Sequence, residues 1–254
     1  MENEIFTIPL ALDISAVALG SMQGALFAAG FKRLDLLGVA VISICCGIGG
    51  GLIRDLFLNV TPATMTTNWY MVTCVVAGMI GMLLQRVLLK VDKLINVFDA
   101  LSLGAFAALG TTKALAFGLP IVPAIFCGAV TAVGGGVVRD VFLNLPIAAL
   151  HVGSFYAVAA IVGSTFVVLA IKFGMSITIA GVICVVLTAA IRLLAMRFGW
   201  SLPEQRALDR RRRRRQRQVE ETIEAIRTRT IQIPHLPDGL PDIDPEGPNP
   251  MPRA

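Results

Sequence analysis

The stretch GGGLIRDLFLN, Gly49 to Asn59, returns 85 residues later as GGGVVRDVFLN, Gly134 to Asn144. Eight of the eleven positions are identical, and the other three exchange one aliphatic residue for another. Each copy sits inside an otherwise apolar stretch. A charged pair is expensive there, and each glycine in a helix interior costs roughly 1 kcal/mol relative to alanine. A costly element repeated at a fixed distance points to an internal duplication with a function built on it.

The surrounding composition says what kind of protein carries the motif. The chain has 254 residues, 56% of them hydrophobic, and a mean hydropathy of +0.76. Ordinary soluble domains are about half apolar. Residues 1–198 hold 11 Lys/Arg and 8 Asp/Glu, and the last 56 residues hold the other 11 basic and 9 acidic ones. A membrane body is therefore followed by a polar tail. The acidic start, MENEIF, lacks the basic region of a cleavable signal. Cys45, Cys46, Cys74, Cys127 and Cys184 fall in apolar segments and read as small buried hydrophobes. With no metal-type spacing and no nucleophile–base set, the sequence points away from an enzyme and implies no cofactor or metal.

A helix needs about 20 apolar residues to cross a bilayer. Seven segments qualify, near Ile8–Phe31, Leu34–Leu58, Trp69–Leu89, Leu94–Thr112, Pro120–Leu143, Ile147–Ile171 and Ser176–Arg197. The expected fold is an all-α polytopic membrane protein. Loops after the first and third segments hold Lys32, Arg33, Arg86, Lys90 and Lys93, whereas loops on the opposite side hold only Lys113 and Lys172. Arg192, Arg197 and a run of arginines follow at the end of the seventh. The positive-inside rule then places the N-terminus outside and the C-terminus in the cytoplasm.

The two motifs lie in the second and fifth segments, three apart, so they cross in opposite directions. This predicts an inverted repeat of three plus three helices with a seventh helix outside it, an arrangement common in channels and transporters. The expected divisions are 1–93, 94–173, 174–198, a basic cytoplasmic helix over 199–233, and a disordered tail over 234–254. Upstream, Asp13, Gly20 and Phe27 to Gly30 are set against Asp99, Gly104, Phe106 and Gly110.

Two readings of the glycines stand side by side. Gly49, Gly50, Gly51 and Gly134, Gly135, Gly136 either kink or locally unwind their helices to line a site, or let two backbones pack closely. Arg54-Asp55 and Arg139-Asp140 need a polar interior and partners. Neighbours in sequence point apart on a helix, so each arginine is expected to pair not with the adjacent aspartate but across the repeats, with Asp13, Asp99 or an aspartate of the other motif. Snorkelling at helix ends is the alternative. Lys113 is a plain loop lysine or a charge tuning an outer mouth. Thr131, His151 and Tyr156 either face the same cavity or are buried and locally bonded.

In the tail, Arg210, Arg211, Arg212, Arg213, Arg214 and Arg215 are consecutive, with Val219, Ile223 and Ile226 at helical spacing beyond them. A polybasic segment beside a membrane helix attracts anionic lipid, at about 1 kcal/mol per charge. It serves equally as a topology anchor, and nucleic-acid binding needs more than a run of charge.

The paired GGGxxRD signatures in seven helices resemble the prokaryotic trimeric intracellular cation (TRIC) channels, a family overlapping sequences described as glycine-transporter membrane proteins. The second unit carries most of the likeness: Asp99-Ala100-Leu101, Gly110-Thr-Thr-Lys113, and Thr131-Ala-Val-Gly-Gly-Gly136 with Arg139-Asp140. The resemblance spans about residues 8–197. It implies a homotrimer in a prokaryotic plasma membrane, each subunit holding its own pore lined by kinked second and fifth helices and passing chiefly potassium. Arg54, Asp55, Arg139 and Asp140 would surround the constriction. Cys46-Gly47-Ile48 stands where the second copy has Thr131-Ala132-Val133, so the halves of the lining differ in polarity. A secondary transporter for a small amino acid such as glycine is the competing function, and a non-transporting scaffold whose basic tail recruits a partner is a third.

Overall fold

The computed structural model describes residues 10–31, 34–87, 91–150, 155–200, 220 and 223–224. It divides into two units, Met1–Leu202 and Pro203–Ala254. Of the second, Glu220, Ile223 and Glu224 are helical. The expectations for Arg210 to Arg215, for the tail beyond them, and for Lys32, Arg33, Lys90 and His151 lie outside the described residues.

Among the described residues the first unit is all-helical: α1 (Leu10–Ala28), α2 (Leu36–Phe57), α3 (Trp69–Val87), α4 (Val91–Ala116), α5 (Ile121–Phe142), α6 (Tyr156–Lys172) and α7 (Ile177–Phe198). α1, α2, α4, α5 and α7 are long and apolar enough to cross a membrane. Trp69–Gln85 in α3 and Tyr156–Lys172 in α6 are shorter apolar stretches.

The ends of α2 and α5 explain why both motifs finish in asparagine. Asn59 and Asn144 have left-handed backbones, with φ of 52° and 51°. Asparagine tolerates this conformation better than most residues. The chain then folds back on the helix: Val60 N–H donates to Asp55 C=O at 3.0 Å, and Leu145 N–H to Asp140 C=O at 2.8 Å. Carbonyls left open by the last turn are thereby satisfied. A 3-10 turn follows each, Ala63–Met65 and Ala148–Leu150. This correction shortens the sixth segment, which begins at Tyr156 and not near Ile147. The 3-10 turn occupies apolar residues that the sequence reading assigns to helix. At the start of α2, Asp35 accepts from Gly38 N–H at 2.7 Å, an N-cap that sets where the helix begins.

Both motif helices stay α-helical through their glycines. The locally unwound turn, one of the two readings of the sequence, is absent here, and several of the glycines make close contacts. A Cβ on Gly50 would overlap the carbonyl of Thr131, and one on Gly135 the carbonyl of Cys46. A Cβ on Gly134 would lie 3.0 Å from the Gly50 Cα. The pairs 46 with 135 and 50 with 131 run in opposite senses along the two helices. The upstream register also needs correcting. Gly24, opposite Cys46, corresponds to Gly110, opposite Thr131, so equivalent positions in α1 and α4 are 86 apart.

Around this crossing, α1 packs on α2, α3 and α4, while α4 packs on α5, α6 and α7. Small residues make these contacts close. Gly78 lies against Ser43, Gly128 against Thr111, and Gly163 against Thr188. Ser43 donates to the carbonyl of Ser21 at 2.8 Å, linking α2 to α1.

Candidate functional site

The last turns of α2 and α5 each carry an arginine and an aspartate into the protein interior. Arg54 is 1% exposed and Arg139 4%. This rules out snorkelling. A buried guanidinium needs anionic partners, because an unpaired charge in a low-dielectric site is costly.

In the first cluster, Arg54 Nε donates to Asp55 Oδ1 at 2.7 Å, and Arg54 Nη1 lies 3.7 Å from Asp13 Oδ1. Asp55 also accepts from Lys113 Nζ at 2.8 Å and from the Ala63 N–H at 2.8 Å. Tyr70 OH donates to Asp13 at 2.7 Å.

The second cluster repeats this plan. Arg139 Nε donates to Asp140 Oδ1 at 2.9 Å, and Arg139 Nη1 lies 3.9 Å from Asp99 Oδ1. The Ala148 N–H donates to Asp140 at 2.8 Å, and Tyr156 OH to Asp99 at 3.1 Å. The sequence separations coincide: 57 residues from aspartate to tyrosine and eight from aspartate to amide in both halves.

Two expectations are thereby corrected. Each motif arginine does bind the adjacent aspartate, and its other aspartate comes from its own repeat rather than the opposite one. The reason is reach. Cβ vectors of neighbours diverge on a helix, but the arginine stem is long enough to fold back beside a carboxylate. That carboxylate is itself drawn to the helix end by a loop N–H. The contacts that do cross between repeats come from positions 27 and 113, equivalent at the spacing of 86. Lys113 reaches Asp55, whereas the Phe27 ring lies 4.1 Å from the Arg139 guanidinium, a cation–π contact.

Among the described residues each cluster thus holds two carboxylates and two cations. The second cation of the second cluster is Arg192 of α7, whose Nε lies 3.9 Å from Asp99 Oδ2 and whose guanidinium lies 4.8 Å from the Tyr156 ring. These charges border a cleft of about 400 Å³ that Gln23, Asn96, Asp99, Arg139, Tyr156 and Arg192 help to line. The Gln23 Nε2 is buried and makes no hydrogen bond among the described residues. Balanced quartets of this kind keep polar groups in an apolar body without net charge, and the ion pairs to Asp13 and Asp99 are 3.7–3.9 Å long.

Of the other residues singled out in the sequence, Gly49, Gly50, Gly134 and Gly135 are buried in the helix crossing, while Gly51 and Gly136 turn toward the arginines. Thr131 is fully buried and donates to the Cys127 carbonyl at 2.6 Å. Among the described residues no group of three His, Cys, Asp or Glu is placed to hold a metal. Sequence reasoning missed Tyr70, Gln23 and the site role of Arg192. Tyr70 had a signal, since Tyr156 follows it at the same spacing as Asp99 follows Asp13. Arg192 had none, because α7 has no counterpart in the repeat.

Comparison with known proteins agrees with this geometry. A family model described as glycine transporter matches twice, over residues 10–86 and 96–172. The inner membrane protein YadS of Escherichia coli is 33% identical over 76% of this chain and 93% of its own. A solved TRIC cation channel is 31% identical with a TM-score of 0.69, covering 78% of this chain and 98% of that one. The trimeric intracellular cation channel orthologue from Rhodobacter sphaeroides is 27% identical with a TM-score of 0.70, covering 75% and 98%. Family and fold are those of membrane channel and transport proteins, not of enzymes.

Proposed function

The chain belongs to the glycine-transporter family of multi-pass membrane proteins and has the fold of the prokaryotic TRIC channels; from that premise we propose that it conducts monovalent cations, chiefly potassium, along a path between α2 and α5. The observation that carries this reading is the pair of charge-balanced clusters flanking one glycine crossing. All seven helices cross the membrane. Even the 17 residues of α6 reach the lower limit of about 17 for a span. Residues 1–93 and 94–173 are inverted repeats, supported by the opposed contacts of α2 and α5 and by the double family match. Residues 174–198 hold the helix outside them.

The glycine triplets are where α2 and α5 bend as the path opens. Gly49 to Gly51, Thr131 and Gly134 to Gly136 lie along it, Arg54, Asp55, Arg139 and Asp140 surround its narrow part, and Asp13, Asp99 and Lys113 support them. The N-terminus faces outward, so the Arg54 cluster is on the outer side and the Arg139 cluster on the cytoplasmic side of a prokaryotic inner membrane. Three copies assemble, as the word trimeric in the name of the Rhodobacter sphaeroides structure states for that protein, and each copy holds its own path. Arg210 to Arg215 hold anionic lipid.

The test is direct. Purified protein in planar bilayers should pass unitary potassium currents, altered by substitution at Gly135 or Arg139. Silent bilayers together with saturable glycine uptake into proteoliposomes would replace this reading with the second one, a carrier for a small amino acid. One feature favours that carrier: the Gln23 side chain, whose Nε2 has no hydrogen-bond partner among the described residues, shares its cleft with Arg139 and Asp99. A guanidinium and a carboxylate in one cleft can grip both ends of a zwitterion.

A further inference from the structure

The two halves of the site match contact for contact, except in where each takes its second cation. In the Arg54 half it is Lys113, from the helix that opens the other repeat, and it binds the motif aspartate Asp55. In the Arg139 half the position equivalent to Lys113 is Phe27, which brings no charge. The missing cation is supplied by Arg192 of α7, and it approaches Asp99 rather than the motif aspartate. A helix outside the duplication therefore completes the electrostatics of one half only.

The placement of Arg192 is built in. Cys184, Thr188 and Arg192 follow at intervals of four and share one face of α7. Gly104 lets that face approach α4, since a Cβ there would lie 2.8 Å from the Val185 Cα. Gly163 does the same for α6, where a Cβ would overlap the Thr188 hydroxyl. Two close contacts thus set the register of α7 one turn before the guanidinium. Arg192 then rests on the Tyr156 ring, beside Asp99, and lines the cleft with it.

We propose that Arg192 is a specificity-determining residue for conduction: it cancels one negative charge in the α5-side cleft and so limits how readily cations enter from that side. The inference rests on the conduction reading above. Without Arg192 the quartet becomes two carboxylates and one guanidinium. The cleft then carries net negative charge within low-dielectric walls, which concentrate counter-ions.

The experiment compares unitary potassium currents of the wild type with R192Q, R192K, D99N and the charge-neutral double variant R192Q/D99N. R192Q should raise current driven from the α5-side cleft at least about twofold at 0.01 M salt, where the screening length is about 30 Å. The difference should nearly vanish at 1 M, where that length is about 3 Å. R192K, which keeps the charge but not the planar stack on Tyr156, should change the current less than R192Q, D99N should lower the current, and the double variant should lie between the two single ones. The double variant also removes both members of the pair, so the test survives if R192Q alone fails to assemble. Currents equal to wild type in R192Q, a change equally large at both salt concentrations, or a double variant worse than either single one would each overturn the proposal. A wild type with no current at all would defeat the conduction reading itself, a result distinct from any of these.

Discussion

Replacing Arg54 with methionine is expected to lower folding stability by about 3–5 kcal/mol, the range for removing one partner of a buried ion pair. Arg54 is 1% exposed, with Asp55 at 2.7 Å and Asp13 at 3.7 Å. Methionine fills similar space, so little of the loss would come from a cavity. It would come from two buried carboxylates facing the single charge of Lys113. Adding Asp13→Asn should recover part of the loss, because one stranded charge is removed and the amide can still accept from Tyr70. The mirror substitution, Arg139→Met, should cost about as much, because each half then strands one carboxylate. Lys113 keeps Asp55 and leaves Asp13 to Tyr70, whereas Arg192 keeps Asp99 and leaves Asp140 to the Ala148 N–H. Unfolding in mild detergent, followed by circular dichroism, measures both. An Arg54→Met protein within about 1 kcal/mol of wild type would mean that water, not protein, carries these charges.

Which carboxylate each substitution strands was beyond the sequence. The helices and the duplication were legible because they rest on local signals: apolar length, a repeated eleven-residue motif, and turn residues between segments. That the motif charges are buried was legible too, since they sit amid apolar residues. Which carboxylate each arginine takes was not, because the choice depends on side-chain reach and on loop amides eight residues away. The use of the glycines was only half legible. A triplet weakens a helix wherever it stands, and only the facing carbonyls of Thr131 and Cys46 reveal that Gly50 and Gly135 make a crossing. Arg192 reads in sequence as one more basic residue near a helix end. The glycines that seat α7, Gly104 and Gly163, lie far from it in the chain.

The crossing yields the second large effect. Gly50→Ala and Gly135→Ala should each destabilise by about 1–3 kcal/mol, the usual range for overpacking. The added methyl meets a backbone carbonyl, which cannot rotate away as a side chain can, so α2 and α5 must separate. The two substitutions then should not add. Once one methyl has moved the helices apart, the second enters space already opened, and the double variant should cost clearly less than the sum. Gly51→Ala is the control. Its Cβ would meet only the Arg54 Nη2, at 3.9 Å, an ordinary contact. Alanine there should stabilise by up to about 1 kcal/mol through helix propensity alone. Measuring unfolding and unitary current on the same three variants separates the two uses of the triplet. Gly50 and Gly135 should lose stability and current together. If bending at the triplet is part of opening, Gly51→Ala should gain stability and yet lose current, because a stiffer α2 holds its closed course through the crossing. A Gly51→Ala protein that is both more stable and fully conducting would leave close packing as the whole purpose of the glycines.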